Sequence, residues 1–349
     1  MFLLILLAVA ACGGSGVDAP SPELPPSGGP SAPSPSPDAG APATGAPAAT
    51  PAPPPSPTPA PTSAPAGPAL AGCPIFPADD EWNRDVSSAP VDARSDDYLA
   101  FLGASWRNLH ADFGANATYG VPFVVVAGSQ PRAQMSFLYS GESDPGPYPF
   151  PPDIPVQGGT GASGDRHAIA VDRDSCLLYE TFDTHWDGSA YRAGSGAVFD
   201  LRTGALRKDG WTSATASGLP LLPGLARYDE VVEQKEIRHA LTFTAARAAR
   251  AWVHPATHYG NSDDPDAPPM GARVRLKASV DLSRFTGASR VILTALQRYG
   301  MFLVDEAGDG FVAISGATDS RWDDHDLDQL KTVPFSAFEV VQLPPAHRQ

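Results

Sequence analysis

From residue 73 onward, short apolar runs alternate with clusters of Gly, Pro, Asp and Ser, a pattern that predicts strands and turns more than helices. The pattern is sharpest over residues 164–183, GDRHAIAVDRDSCLLYETFD, which read as two strands joined by the turn Asp172-Arg173-Asp174-Ser175. Side chains alternate faces along a strand. His167 therefore shares a face with Ile169 and Val171, and Glu180 shares one with Cys176, Leu178 and Phe182. Residues 237–243 repeat the motif, with His239 among Ile237, Leu241 and Phe243. Each apolar face thus carries one titratable group.

Further strands are expected at residues 121–126 (VPFVVV), 133–139, 191–201 with a break at Gly194-Ser195-Gly196, 272–280 and 301–305. Residues 311–315 are expected to complete a hairpin with the last of these, across Gly308-Asp309-Gly310. Helices are expected at residues 94–106 and 289–298, and residues 216–232 read as irregular or helical. Many short strands and few helices predict a mainly β chain, a single-domain β-sandwich or jelly roll. Residues 141–164 form a loop rich in Pro and Gly that carries Glu142, Asp144, Tyr148 and Phe150. Long ordered loops are often functional, so this one is a candidate.

Composition changes the picture at the N-terminus. Of the 39 prolines in 349 residues, a large share precede residue 70, within a tract of Pro, Ala, Ser, Thr and Gly that has little to bury. Residues 1–11, MFLLILLAVAA, read as a signal peptide, too short for a membrane span of ~20 residues. Val9-Ala10-Ala11-Cys12 resembles a bacterial lipobox, which implies a lipid on Cys12. Residues 12–72 become the lipidated cysteine and its linker, and residues 73–345 the globular domain. The expected product is an exported, membrane-anchored lipoprotein facing periplasm or exterior. Cys73 and Cys176 remain as a pair, which in an oxidising compartment predicts a disulfide. A formal charge of −15 argues against nucleic acid as partner.

The candidate chemistry centres on carboxylates. Glu180 on an apolar face is expected to have a raised pKa, as a general acid requires, with His167 or His239 assisting. Asp229 or Glu230 is the candidate second carboxylate of a glycosidase pair. Trp186, Tyr191, Trp211 and Tyr148 are candidate sugar-stacking rings, and Arg273 and Arg275, with Lys277 on the same strand face, are candidates for an anionic polysaccharide. His254 and His258 have HxxxH spacing but lack the glutamate of HExxH, so zinc is a weaker reading. The acidic runs at 263–266 and 319–328 do not match EF-hand spacing, and Gly194-Ser195-Gly196 lacks the full serine-hydrolase elbow. No cofactor is called for.

The stretches CPIFPADDEWN, DGWTSATASGLPLLPGLARYDEV, EIRHALTFT, MGARVRLKASVDLS and RYGMFLVDEAGDG resemble a family of exported bacterial proteins. The likeness implies export and one continuous domain, and brings no catalytic residue with it. The expectation is a lipid-anchored carbohydrate-active enzyme, hydrolase or lyase, acting on a polysaccharide or cell-surface glycan. A non-catalytic glycan-binding or adhesion lipoprotein is the alternative, and a metallohydrolase the weaker third reading.

Overall fold

A strand that is apolar on both faces must be covered twice, and the run AIAV in residues 168–171 is such a strand. The computed structural model describes residues 67–105, 108–307 and 313–349; the signal segment, Cys12 and most of the expected linker lie outside them. The fold is mainly β, with few and short helices. Eight strands carry it: β1 (Phe123–Val126), β2 (Ala168–Asp172), β3 (Leu177–Phe182), β4 (Ser195–Asp200), β5 (Leu241–Ala245), β6 (Arg273–Leu276), β7 (Met301–Glu306) and β8 (Phe338–Val340).

The first sheet has the order β4-β3-β2-β1, with β1 parallel to β2 and the other pairs antiparallel. Ile169 stands opposite Glu180, so the two strands expected around the Asp172–Ser175 turn do pair, and on the same face. Asp172 Oδ1 closes that turn by accepting from the amides of Asp174 (3.0 Å) and Ser175 (3.3 Å). Ile169, Val171 and Leu178 enter the main core. Ala168, Ala170 and Tyr179 face the other way, into a second cluster with Tyr148, Phe150, Ile154 and Tyr191. Much of that outer cover comes from the loop at 141–164, so Tyr148 and Phe150 serve packing there.

The second sheet runs β8-β6-β7-β5 and continues through the short strands Ala313–Ile314 and His110–Ala111. Here β5 and β7 are parallel. Because β5 lies between β7 and Ala313–Ile314, pairing antiparallel with the latter, the expected hairpin between residues 301–305 and 311–315 does not form. Its turn at 308–310 lies outside the described residues. Helix α1 (Ser95–Ser105) buries Leu99 and Leu102 and packs on β8. Helix α2 (Gly287–Arg298) buries Ile292, Leu293 and Leu296, at the i, i+3, i+4 spacing of an amphipathic helix.

Cys73 and Cys176 are joined, with sulfurs 2.04 Å and Cα atoms 5.4 Å apart, which fastens the beginning of the domain to the β2–β3 turn. Ala69–Leu70 pairs with Cys73–Pro74, and His347–Arg348 pairs with Ala251–Trp252. The folded structure therefore takes in residues on both sides of 73–345. Among the described residues no helix is long and apolar enough to cross a membrane.

Candidate functional site

The expected acid is fully enclosed. Glu180 has 0% of its surface exposed, and its Oε1 accepts from the amides of Leu221 (3.1 Å) and Leu222 (2.8 Å), its Oε2 from Leu221 (2.9 Å). These amides open the 3-10 turn Leu222–Gly224, whose first N–H groups have no partner within the turn. Burial pushes the carboxyl up to about 7, although both amides and the Arg207 charge oppose it. The raised value comes with an anchoring position rather than a path to substrate. His167 directly precedes β2 and lies against the end of β3, its ring 6.0 Å from Phe182 and its Nδ1 3.4 Å from the Thr181 carbonyl. Burial holds His167 below its ordinary value.

His239 does not join them. It precedes β5 in the second sheet, and its Nε2 lies 3.1 Å from Glu230 Oε2, while Nδ1 faces the Ala240 carbonyl at 2.9 Å. Glu230 also meets Arg227 at 2.8 Å, and Arg227 reaches Asp229 at 3.3 Å and the Ala69 carbonyl at 3.2 Å. Although burial disfavours its charge, His239 and then Arg227 hold the Glu230 carboxyl below the usual range. Asp229 and Glu230 begin a π-helical turn, Asp229–Gln234, and are committed to this buried network instead of facing Glu180 across a cleft.

The expected binding residues divide. Tyr148 and Tyr191 are core rings whose hydroxyls donate to the carbonyls of Asp144 and Pro151, so neither offers a face to a sugar. Arg273 is buried over Phe302 and donates to the carbonyls of Tyr299 (2.7 Å), Glu81 (2.7 Å) and Arg84 (2.8 Å). Burial pulls its pKa down to about 9. Arg275 is buried against Glu339 (2.7 Å) and the Val86 carbonyl. The Arg273–Arg275 part of the expected basic face is thus interior, because β8 and the segment at 81–86 cover it, while Lys277 is half-buried and donates to the Ser336 carbonyl at 2.9 Å. Trp186 keeps 37% of its surface exposed, and Trp211 is half-buried near the Arg207 and Lys208 cations.

His254 and His258 also separate. Their segment is a turn, in which the Ala256 amide donates to the Val253 carbonyl, so i, i+4 spacing brings no shared face. His254 Nε2 meets Asp209 at 2.8 Å, whereas His258 Nδ1 donates to the Ala216 carbonyl at 2.9 Å.

A different set does converge. Phe182 ends β3, Ser195 begins β4 directly opposite it, and Asp305 lies near the end of β7. With Tyr139, Glu142, residues 212–216 and His258 they line a cavity of about 330 Å³. The segment at 212–219 is held from several sides. Ser195 Oγ donates to the Ser213 carbonyl (2.6 Å), and Ser213 Oγ and Thr215 Oγ1 donate to the Leu219 carbonyl (2.6 and 2.9 Å). Gly218 has φ +77°, and a Cβ there would overlap Thr257 Oγ1. Arg207 ties this wall to the Glu142 turn, donating to the carbonyls of Thr212 (2.7 Å) and Glu142 (2.8 Å).

Three titratable groups face that space. Glu142 Oε2 accepts from the Thr212 amide at 3.3 Å. Asp305 accepts from the amides of Ala216 (Oδ2, 3.3 Å) and Glu306 (Oδ1, 2.8 Å). Asp305 is half-buried; burial pushes its carboxyl up to about 7, against the Glu306 amide and with a contribution from the Asp165 charge. Burial lowers His258, opposed by the Ala216 carbonyl and Glu142. Since a carbonyl only accepts, Nδ1 carries the proton and Nε2 is left as the acceptor of the neutral ring. Asp165 also contributes to raising the carboxyl of Asp112 to about 6, after the burial of that carboxyl. An acid near neutrality, a second carboxylate and a neutral imidazole around one cavity have the elements of acid–base catalysis.

Of this set, only Glu142 and His258 carry any signal in the sequence, one from its loop and one from the HxxxH spacing; Asp305 reads merely as the acid closing MFLV. Compared with protein-family models, curated proteins and solved structures, the chain matches none.

Proposed function

We propose that the chain is an exported, lipid-anchored carbohydrate-active enzyme that hydrolyses a polysaccharide at the Tyr139–Asp305 cavity. The observation that carries this reading is the pairing of Asp305, a carboxyl brought to about 7, with Glu142 on the wall of the same cavity. Protonated Asp305 would donate to the glycosidic oxygen as the bond to the anomeric carbon breaks, while Glu142 activates water or attacks that carbon. Tyr139, 54% exposed at the rim, and Phe182 supply rings for sugar faces. Hydrolysis is favoured over elimination because, among the described residues, no Lys or Arg lines the cavity to neutralise a uronate. The disulfide supports an oxidising compartment, in keeping with export and a lipid on Cys12.

A glycan-binding module is the second reading, favoured by the exposed neighbours Leu138 (75%) and Tyr139. The deciding experiment incubates the full chain, Asp305→Asn and Glu142→Gln with a panel of polysaccharides. New reducing ends and the absorbance of unsaturated uronates are both followed. Reducing ends without absorbance, lowered ~10²–10⁴-fold in either folded variant, support hydrolysis at this cavity. Absorbance would make it a lyase, and binding without products would make it the module.

A further inference from the structure

We infer that Asp209, His254 and His347 form a binding site for a zinc-like divalent cation that fastens the C-terminal strand to the body of the fold. Each residue offers one ligand atom, and these atoms lie within 4.8 Å of one another. The three come from separate segments, each positioned by its backbone. His347 is placed by antiparallel pairing with Trp252, and its ring stacks on that indole at 5.3 Å and 15°. His254 follows Trp252 by two residues, with its ring 4.7 Å from that of His347. The Gly210 amide, next to Asp209, donates to the Thr257 carbonyl at 2.7 Å and so holds Asp209 beside the His254 turn.

An Asp209–His254 ion pair alone accounts for the 2.8 Å contact between Oδ1 and Nε2. It does not account for a third ligand-type ring arriving from the far end of the chain. Tetrahedral zinc holds its ligands at about 2.0–2.2 Å, which sets neighbouring donor atoms roughly 3.3 Å apart. The close pair must open slightly and the third atom move in, and all three side chains are exposed enough to turn. Two imidazoles and one carboxylate select borderline cations such as Zn²⁺, Co²⁺ or Ni²⁺ over Ca²⁺ and Mg²⁺, which prefer all-oxygen shells. Stacking on Trp252 orients the His347 ring, a task that outer-shell partners commonly perform. Water would complete the shell.

The test uses the full chain stripped with a chelator and dialysed against zinc chloride. Bound zinc is counted by atomic emission, and affinity is read by calorimetry. One zinc per chain is expected, with affinity weakened at least tenfold in His254→Ala and in His347→Ala, and unchanged in His258→Ala. Melting of each variant without zinc confirms the fold, and added zinc should raise the midpoint of the parent chain but not of His347→Ala. Failure to retain zinc, equal retention by His347→Ala, or calcium binding as tightly as zinc would each overturn the assignment.

Discussion

Replacing Glu180 by glutamine separates an anchoring carboxylate from a catalytic one. In the folded chain this carboxyl titrates at about 7, against an ordinary 4.5, because the residue is buried. Between those two values the folded state keeps a proton that the unfolded chain releases. Stability from this group is therefore greatest below pH 4.5 and is lost as pH rises to about 7. At about 1.36 kcal/mol per pH unit the loss comes to roughly 3 kcal/mol. Glutamine keeps the shape but does not titrate, and its amide nitrogen cannot accept from Leu221. At low pH the variant should be less stable by ~1–3 kcal/mol. Approaching pH 7.5, the gap should close by roughly 3 kcal/mol in favour of the variant. Urea midpoints of both proteins between pH 4.5 and 7.5 read this directly, since every other titrating group cancels in the difference. Parallel curves would refute the buried titration. Sugar release abolished in a folded Glu180→Gln would refute the anchoring role, because Glu180 lies off the cavity that Asp305 lines.

Three other outcomes are expected. Replacing both Cys73 and Cys176 by alanine opens a link of 103 residues. On the chain-entropy model this costs about 4.7 kcal/mol, a fall in melting midpoint on the order of 10 °C, checked by calorimetry. Arg273→Ala removes the donor to three carbonyls, those of Tyr299, Glu81 and Arg84, and should cost ~1–3 kcal/mol in denaturant titration while leaving sugar release intact in the folded fraction. If protonated Asp305 is the general acid, kcat/KM should fall tenfold per pH unit above about 7. A pH profile flat to 9 would remove Asp305 from that role.

What was legible in the chain was local. The β2–β3 pair follows from period-two alternation around an Asx turn that Asp172 closes with its own side chain. Helix α2 follows from its amphipathic spacing, and the Cys73–Cys176 link from the expectation of export and a count of cysteines. The strand order of the second sheet was not legible, because β5 inserts between β7 and Ala313–Ile314 from about 60 residues away in sequence, a non-local pairing that neither run signals.

The cavity proposed as the site was not legible, for a physical reason that the residues singled out from the sequence share. Glu180, His167 and His239 drew attention as titratable groups on apolar strand faces, where an unsatisfied charge is costly. In a sheet covered on both sides, however, that face is the core. Whatever polar group sits there must already have a partner: the Leu221 and Leu222 amides for Glu180, and Glu230 for His239. A reacting group must instead reach substrate while remaining partly desolvated, and strand ends meet both conditions. Phe182 and Ser195 stand opposite each other at one end of the β3–β4 pair, and Asp305 lies one residue before the end of β7. The turn at 212–216 then encloses the Asp305 carboxyl by donating the Ala216 amide to it. That amide works against the raised pKa, which comes from burial. Loosening the 212–216 wall, as Gly218→Ala should through its clash with Thr257, is expected to lower the Asp305 pKa, because burial is the largest cause of its rise, and to suppress sugar release near neutral pH. An unchanged pH profile in that variant would mean that the enclosure of Asp305 does not set its protonation.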